Sequence, residues 1–312
     1  MSIIDRLRDL WPSRSSDAAR RGVDTAAGPR LKPIFVGGTG RSGTQVTARL
    51  LGAHPDVWFV PTEVRFISAS GGLCDLIEGH TDLKRFEKRL MGRWFQRQPG
   101  GMHRFTDKAT VEAIFRKHRS GLKSEPRTAS AAFTHDLLDP FAAAAGAVGW
   151  AEMTPANVLV APMLLELFPD MQLIHSVRDG RDVACSVTPL PWGPTDVDEA
   201  LDWWAAKIEE GYAASESLPH DRLLVMQMEQ LIDRDRDGQL SRLLAFLGLE
   251  DDPGLRTFFD SDVTPARAHI GRWTHDVPAE RMAAFEAHYE RLAAGLRERG
   301  RAYMADSQPA VV

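Results

Sequence analysis

Two groups of arginine and hydroxyl side chains, far apart in the sequence, have the chemistry to hold phosphate-type anions. In the first, Arg41 supplies a cation within a glycine-rich loop. The second consists of Arg178 and Ser186. A guanidinium presents a planar fork of donors that suits phosphate oxygens, and a serine hydroxyl adds one more donor. The alternative for Arg178 is a structural ion pair with Asp179 or Asp182.

The loop around Arg41 comprises Gly38, Thr39, Gly40, Arg41, Ser42, Gly43 and Thr44. Its glycines allow tight turns, and it lies between an apolar run at residues 34–36 and a helical pattern that starts at Thr44. Backbone N–H groups at the start of a helix carry partial positive charge and attract anions. The spacing of Gly38 and Gly43 fits a nucleoside triphosphate loop, but Thr44 stands where that motif requires lysine. The loop therefore predicts a phosphate-type anion other than a magnesium-bound triphosphate.

Charged residues follow three of the predicted strands. Arg41 comes after the first strand, Glu63 after the second, and Arg178 directly after residues 172–177. Ligands of open α/β sheets bind beyond the carboxyl ends of the strands, so we expect these side chains at one edge of one sheet. Glu63 in that position, beside Arg65, favours a general base over a solvated surface carboxylate.

Helix, short turn and strand alternate along the chain. Further strands are predicted at residues 57–60, 148–150 and 223–226, and amphipathic helices at residues 197–212, 240–247 and 285–296. Such alternation predicts an α/β protein with a P-loop-like three-layer fold, in which a central parallel sheet carries helices on both faces. We divide the chain into a tail or linker (1–31), one folded domain (32–305) with a largely helical insertion (72–145), and a C-terminal tail (306–312).

Composition excludes several classes of protein. The 312 residues are 43% hydrophobic and 26% charged, which is typical of a soluble globular protein. A net charge of −5 argues against general nucleic-acid binding, and no apolar segment has transmembrane length. Cys74 and Cys185 offer neither a disulfide framework nor a metal pattern. We therefore expect a cytoplasmic protein without a metal, a membrane partner or a secretory signal.

Several segments, in this order, are similar to those of sulfotransferases that use 3′-phosphoadenosine 5′-phosphosulfate (PAPS). They are FVGGTGRSGT, HPDVWFVPTEVRF, FPDMQLIHSVRDGRDVACS and HIGRW. The chain most resembles the tyrosylprotein sulfotransferase-like branch and its bacterial relatives. The resemblance runs from about residue 33 to residue 303, and the paired phosphate motifs carry most of its specificity.

The resemblance implies a role for each anion-binding group. Residues 38–44 match the loop that holds the 5′-phosphosulfate of the donor, with Arg41 as its cation. Arg178 and Ser186 match the pair that holds the 3′-phosphate. Both groups would then contact a single nucleotide.

The resemblance also implies catalytic and closing residues. Glu63 matches the glutamate taken as general base in this branch, and Arg65 matches a nearby arginine of the site. A later loop that closes over the nucleotide corresponds to Gly271, Arg272 and Trp273. The resemblance gives residues 226–231 a structural role.

One position departs from the pattern of the family. Many relatives have a lysine that would stabilise charge on the bridging oxygen of the donor, and Met153 stands there in this chain. Arg41, Arg65 or Lys108 could take that role.

The implied reaction moves a sulfuryl group from PAPS, as co-substrate, to a hydroxyl of a small-molecule acceptor, with a phenol as our preferred class. Two alternatives stay open: a small-molecule kinase with a degenerate loop, and a non-catalytic nucleotide-binding protein. Magnesium dependence with ATP binding would indicate the kinase. A homodimer stays open beside a monomer.

Overall fold

Five parallel strands form one sheet at the centre of the protein, whose computed structural model describes residues 30–97 and 100–301. The strands are β1 (Lys32–Gly38), β2 (Val57–Phe59), β3 (Gly149–Glu152), β4 (Gln172–Val177) and β5 (Leu223–Gln227). Their order across the sheet is β2-β3-β1-β4-β5. In the central strand β1, Phe35 pairs with Glu152 on one side and with Leu173 on the other.

Helices cover both faces of this sheet. They are α1 (Thr44–Leu51), α2 (Leu73–Glu78), α3 (Leu83–Arg89), α4 (Lys108–Ser124), α5 (Pro126–Ala144), α6 (Ala161–Leu167), α7 (Gly180–Val187), α8 (Val197–Ser215), α9 (Arg236–Leu247), α10 (Pro253–Asp262), α11 (Pro265–Ala268), α12 (Trp273–Asp276) and α13 (Ala279–Glu298). Short π-helical segments cover Leu90–Trp94 and Gln230–Arg234, and 3₁₀ segments cover Met102–Arg104 and Pro155–Val160.

The alternation of side chains in β1 explains the three layers. Successive residues of a strand point to opposite faces of the sheet. Phe35 packs into a core that includes α4, α5 and α6, whereas Ile34 and Val36 pack into another core with α1, α9 and α10. A third core joins Val177 to α7, α8 and α13. The predicted α/β three-layer fold with a parallel sheet is therefore confirmed.

The aromatic residues of the helical segment serve the core. Phe66, Trp94, Phe95 and Phe105 are buried in the same core as Phe35. Core packing, rather than the lining of an aromatic cleft, is therefore the role of these four side chains.

Two local patterns can be compared with the structure. The basic and polar residues 116–127 predict an exposed loop or helix end, and they form the end of α4 and the start of α5, which agrees with the second alternative. The pattern of Leu159, Met163, Leu164 and Leu167 predicts one helix. Leu159 instead lies in the 3₁₀ segment before α6 and is 37% exposed.

The end of α9 follows its sequence signal. Helix α9 ends at Gly248, whose φ of 70° is the left-handed cap expected of glycine.

The predicted helical pattern at residues 3–11 lies outside the described residues, as does most of the linker at 1–31. No helix in the described part of the chain combines the length and apolar character needed to cross a membrane.

Candidate active site

The phosphate-type loop, residues 38–44, connects β1 to α1. Gly43 stands just before α1 with φ of 89°, a left-handed conformation that favours glycine. A Cβ at Gly43 would lie 2.6 Å from the Cε of Met228, and a Cβ at Gly38 would lie 2.4 Å from the carbonyl oxygen of Ser176. Gly38 is therefore required by the space beside a backbone carbonyl, whereas Gly43 is required by its backbone conformation.

Arg41 joins the two predicted anion-binding groups. Its Nε donates a hydrogen bond to Ser186 Oγ at 2.9 Å. Its carbonyl oxygen accepts one from Arg178 Nη1 at 3.4 Å. Arg41 also has φ of 60°, a left-handed conformation that costs a non-glycine residue about 1–3 kcal/mol. The structure thus brings Arg41, Arg178 and Ser186 to one place.

Positive charge is concentrated around Arg41. Burial lowers the pKa of this guanidinium, and the neighbouring charges of Arg178 and Arg272 lower it further, while Glu63 opposes them. Several guanidinium groups close together repel one another, and a bound anion would relieve that repulsion. The electrostatics of the described residues therefore favour an anionic ligand here.

Arg178 also makes the structural ion pair that we had left as the alternative. Its Nη2 lies 3.3 Å from Asp182 Oδ2 and donates to the carbonyl oxygens of Ala268 at 2.8 Å and His269 at 3.0 Å. Its buried Nε has no hydrogen-bond partner among the described residues. The ion pair and a neighbouring ligand are thus compatible, because one donor stays available.

Asp182 holds the later predicted loop against Arg178. Its carboxylate accepts hydrogen bonds from the backbone N–H of Gly271 at 2.9 Å and of Trp273 at 3.3 Å. Burial raises the pKa of this carboxyl, and the charge of Arg178 opposes the rise. Arg272 forms an ion pair with Asp276. Residues 271–273 therefore lie beside Arg178, in the second predicted anion-binding group.

Trp273 packs against a buried arginine of α7. The guanidinium of Arg181 lies 4.2 Å from the ring centroid of Trp273 and 4.3 Å from that of Tyr289. The same guanidinium forms an ion pair with Asp179 at 2.7 Å. In this structure Trp273 is 5% exposed and has the surroundings of a core residue.

The carboxylate of Glu63 is oriented by two arginines. Its Oε2 accepts hydrogen bonds from Arg65, with Nε at 2.9 Å, and from Arg97 Nη1 at 3.3 Å. About 29% of the Glu63 side chain is exposed, so it remains reachable from solvent. Arg65 has φ of 63°, a second left-handed non-glycine residue at this edge of the sheet.

Glu152 was not predicted, although it fixes the turn that carries Glu63. Its fully buried carboxylate accepts hydrogen bonds from Val64 N at 3.1 Å, Thr154 Oγ1 at 2.6 Å and Asn157 Nδ2 at 2.7 Å. Burial raises the pKa of Glu152, while these hydrogen bonds oppose the rise. Glu152 ends β3, so the strand-end rule that singled out Glu63 would have found it.

A second buried carboxylate, Glu229, supports the start of α7. Its Oε1 accepts a hydrogen bond from Asp179 N at 2.9 Å, and its Oε2 has no partner among the described residues. Burial, followed by the charge of Asp179, raises the pKa of Glu229. Glu229 lies in residues 226–231, for which the resemblance implied a structural role.

Met153 is an apolar core residue and brings no positive charge to the site. Its side chain is 4% exposed and belongs to the apolar core that contains Ile34 and Val36. Lys108 lies at the exposed start of α4, where it pairs with Glu112 at 3.6 Å. Of the other two residues considered as substitutes, Arg65 is paired with Glu63, whereas Arg41 lies in the phosphate-type loop itself.

Comparison with known proteins gives the family. Residues 33–253 match the model of the sulfotransferase family. No curated protein matches the chain.

Solved structures of similar fold include a sulfotransferase domain from the Synechococcus PCC 7002 olefin synthase. It is 18% identical to this chain, with a TM-score of 0.52, and the match covers 89% of this chain and 98% of that one. A sulfotransferase domain from the curacin biosynthetic pathway is 13% identical, covering 87% and 99%, with a TM-score of 0.49. Mouse sulfotransferase SULT7A1 complexed with PAP is also 13% identical, covering 96% of both chains, with a TM-score of 0.47. The family model spans more than half of the chain. The protein therefore belongs to the sulfotransferase family.

Proposed function

We propose that this protein transfers a sulfuryl group from PAPS to a hydroxyl, preferably phenolic, of a small-molecule acceptor. The observation that carries this proposal is the hydrogen bond from Arg41 Nε to Ser186 Oγ. It joins the loop proposed for the 5′-phosphosulfate to the pair proposed for the 3′-phosphate. Two adjoining cationic groups suit a nucleotide with an anion at each end.

Buried donors without partners support an anionic ligand at this place. Ser42 Oγ and Arg178 Nε are both buried and have no hydrogen-bond partner among the described residues. An unsatisfied buried donor costs about 1–3 kcal/mol, which a ligand oxygen would recover. Together with the N–H groups at the start of α1, they give donors to both ends of the proposed nucleotide.

Glu63 is the proposed general base. It would take the proton of the acceptor hydroxyl while the acceptor oxygen forms a bond to sulfur. The bond between sulfur and the bridging oxygen of the donor breaks at the same centre, and 3′-phosphoadenosine 5′-phosphate (PAP) leaves. Arg65 and Arg97 hold Oε2 of Glu63, so the proposed proton acceptor is Oε1.

Arg41 is the proposed stabiliser of the charge that develops on the bridging oxygen. It lies in the loop, it is partly buried, and it interacts electrostatically with Glu63. A preorganised cation in a partly buried site stabilises developing charge more than it would in water. Because a sulfuryl group carries less charge than a phosphoryl group, we propose that the reaction needs no metal.

The test combines binding and transfer. Calorimetry should show binding of PAP, and incubation with ³⁵S-labelled PAPS and a panel of phenols, sugars and peptides should yield a labelled product in the presence of EDTA. Failure of the purified protein to bind PAP would contradict the proposal. Binding of ATP with transfer of phosphate that requires magnesium would indicate the kinase instead. Binding of PAP without transfer to any acceptor would indicate the non-catalytic protein.

A further inference from the structure

Trp192 is an exposed aromatic residue next to the phosphate-type loop. It is 57% exposed, and the other exposed large hydrophobic residues in the described part of the chain are Val148 at 60% and Leu159 at 37%. A Cβ placed on Gly40 would lie 3.8 Å from Cη2 of the Trp192 ring. The indole edge therefore lies beside Gly40, close enough that a single methyl group on the loop would reach it.

The backbone holds Trp192 in this exposed position. Pro191 and Pro194 restrict φ on both sides of it. Gly193 N donates to Leu190 O at 3.1 Å, and a Cβ on Gly193 would lie 2.4 Å from Val187 O, so the segment lies tightly against the end of α7. Rigid side chains lose less conformational entropy when a ligand binds.

A second tryptophan supports the ring from one side. The ring centroids of Trp192 and Trp203 are 6.3 Å apart, with an angle of 56° between the ring planes. Trp203 belongs to α8 and packs against the core that contains Val177. One edge of Trp192 is thus supported while more than half of its surface remains open to solvent.

We propose that Trp192 is a platform on which a planar aromatic ring of a bound ligand stacks. This inference rests on the proposed function, because it requires an anion in the neighbouring loop. In a phenolic acceptor the reacting oxygen is bonded directly to the ring, so the ring must lie close to the sulfuryl group. The adenine of the donor is the other planar ring in the reaction, and it is separated from the sulfuryl end by ribose and phosphate.

The experiment compares Trp192→Ala and Trp192→Phe with the wild type. Calorimetry measures the affinity for PAP, and then the affinity for 2-naphthol in the presence of PAP. We expect Trp192→Ala to weaken one of these affinities about two- to tenfold and Trp192→Phe to restore most of it. Val148→Ala is the matched control, because it shortens another exposed hydrophobic side chain without a change at the loop.

The two probes distinguish the source of the ring. Weaker binding of 2-naphthol alone supports stacking of the acceptor, and weaker binding of PAP supports stacking of adenine. If Trp192→Ala leaves both affinities unchanged while the wild type binds PAP, the platform is overturned and the proposed function stands. If the wild type does not bind PAP, the proposed function fails, and the platform fails with it.

Discussion

Arg41 Nε donates a hydrogen bond to Ser186 Oγ at 2.9 Å, although the two residues are 145 positions apart in sequence. One belongs to the loop after β1 and the other to α7, which follows β4. Since β1 and β4 are neighbours in the parallel sheet, their carboxyl ends present both residues at the same edge. A single ligand can therefore contact both, and substitutions in one group should affect the binding of the whole nucleotide.

Removal of Arg178 or Ser186 should weaken the binding of PAP. We expect Arg178→Ala to cost roughly 1.5–3 kcal/mol, as for a charged hydrogen bond, and Ser186→Ala to cost roughly 0.5–1.5 kcal/mol. Calorimetry with PAP measures both losses. Thr188→Ala is the control, because Thr188 directly follows α7 and its Oγ1 donates to the carbonyl oxygen of Ala184. Equal affinity of the wild type and Arg178→Ala would refute the assignment.

Replacement of Glu63 by glutamine should slow transfer without weakening the binding of PAP. Glutamine keeps the shape of the side chain but cannot accept the proton, so we expect kcat to fall by roughly 10²–10⁴. The ³⁵S transfer assay measures kcat, and calorimetry checks the affinity for PAP. Glu112→Gln on the exposed face of α4 is the control. Transfer at nearly the wild-type rate would remove Glu63 as the base.

Alanine substitutions at Gly43 and Gly248 distinguish the cost of backbone strain from damage to the phosphate-type loop. Both glycines have positive φ, 89° and 70°, so alanine at either position should cost roughly 1–2 kcal/mol of stability. A Cβ at Gly248 meets no atom within 4 Å, whereas at Gly43 it meets Met228. We expect only Gly43→Ala to lose affinity for PAP as well. Urea unfolding and calorimetry give the two readouts, and loss of affinity in Gly248→Ala would count against this distinction.

His175 should make the protein less stable in acid. Burial in β4 lowers the pKa of His175 from 6.5 to about 4, so between these values the unfolded chain binds the proton and the folded chain does not. Stability is therefore retained above pH 6.5 and lost as the pH falls toward 4, by about 3 kcal/mol in all.

The matched variant for this pH dependence is His175→Phe, which keeps a ring but removes the titration. Urea unfolding of both proteins at a series of pH values measures the difference in stability. The difference between wild type and variant should change by about 3 kcal/mol over this range, in favour of the variant at low pH. A constant difference across the range would show that His175 does not titrate as inferred.

Glu152 should matter for both stability and catalysis. Glutamine at this position offers one acceptor oxygen where the carboxylate offers two, and its NH₂ would face the Nδ2 of Asn157. We expect Glu152→Gln to lose about 1–3 kcal/mol of stability in urea unfolding, because buried donors lose their partners. Since Glu152 holds Val64 N, kcat should fall more than the affinity for PAP. Glu166→Gln, on the exposed side of α6, is the control, and an unchanged kcat would leave Glu152 with a role in stability alone.

The sheet could be predicted because its strands are short apolar runs between turn residues. Residues 172–177 match β4, and the helical pattern from Thr44 matches the start of α1. Local patterns carry this information, since burial on both faces of a parallel sheet requires continuous apolar runs. The proximity of Arg41 and Arg178 could be predicted from the same patterns, because each follows a strand of the sheet within a few residues.

Contacts between distant segments could not be predicted from local patterns. The carbonyl oxygens of Ala268 and His269, which accept from Arg178, have no signature in sequence because every residue has a carbonyl group. The hydrogen bond that Arg97 donates to Glu63 depends on the path of the chain over the 34 positions that separate them. Such partners are set by tertiary packing, which the pattern of apolar residues does not specify.

Hydrogen bonds join Arg178 and Asp182 to residues 268–273, so the folded domain extends beyond the stretch that matches the family model. That stretch ends at residue 253. A chain truncated at Pro253 would lose both amide donors of Asp182, and it would also lose α10 and α13, which complete two of the three cores. Truncation studies that follow the family boundary would therefore remove part of the hydrophobic core together with residues 271–273, and inactivity of such a fragment would say nothing about the intact enzyme.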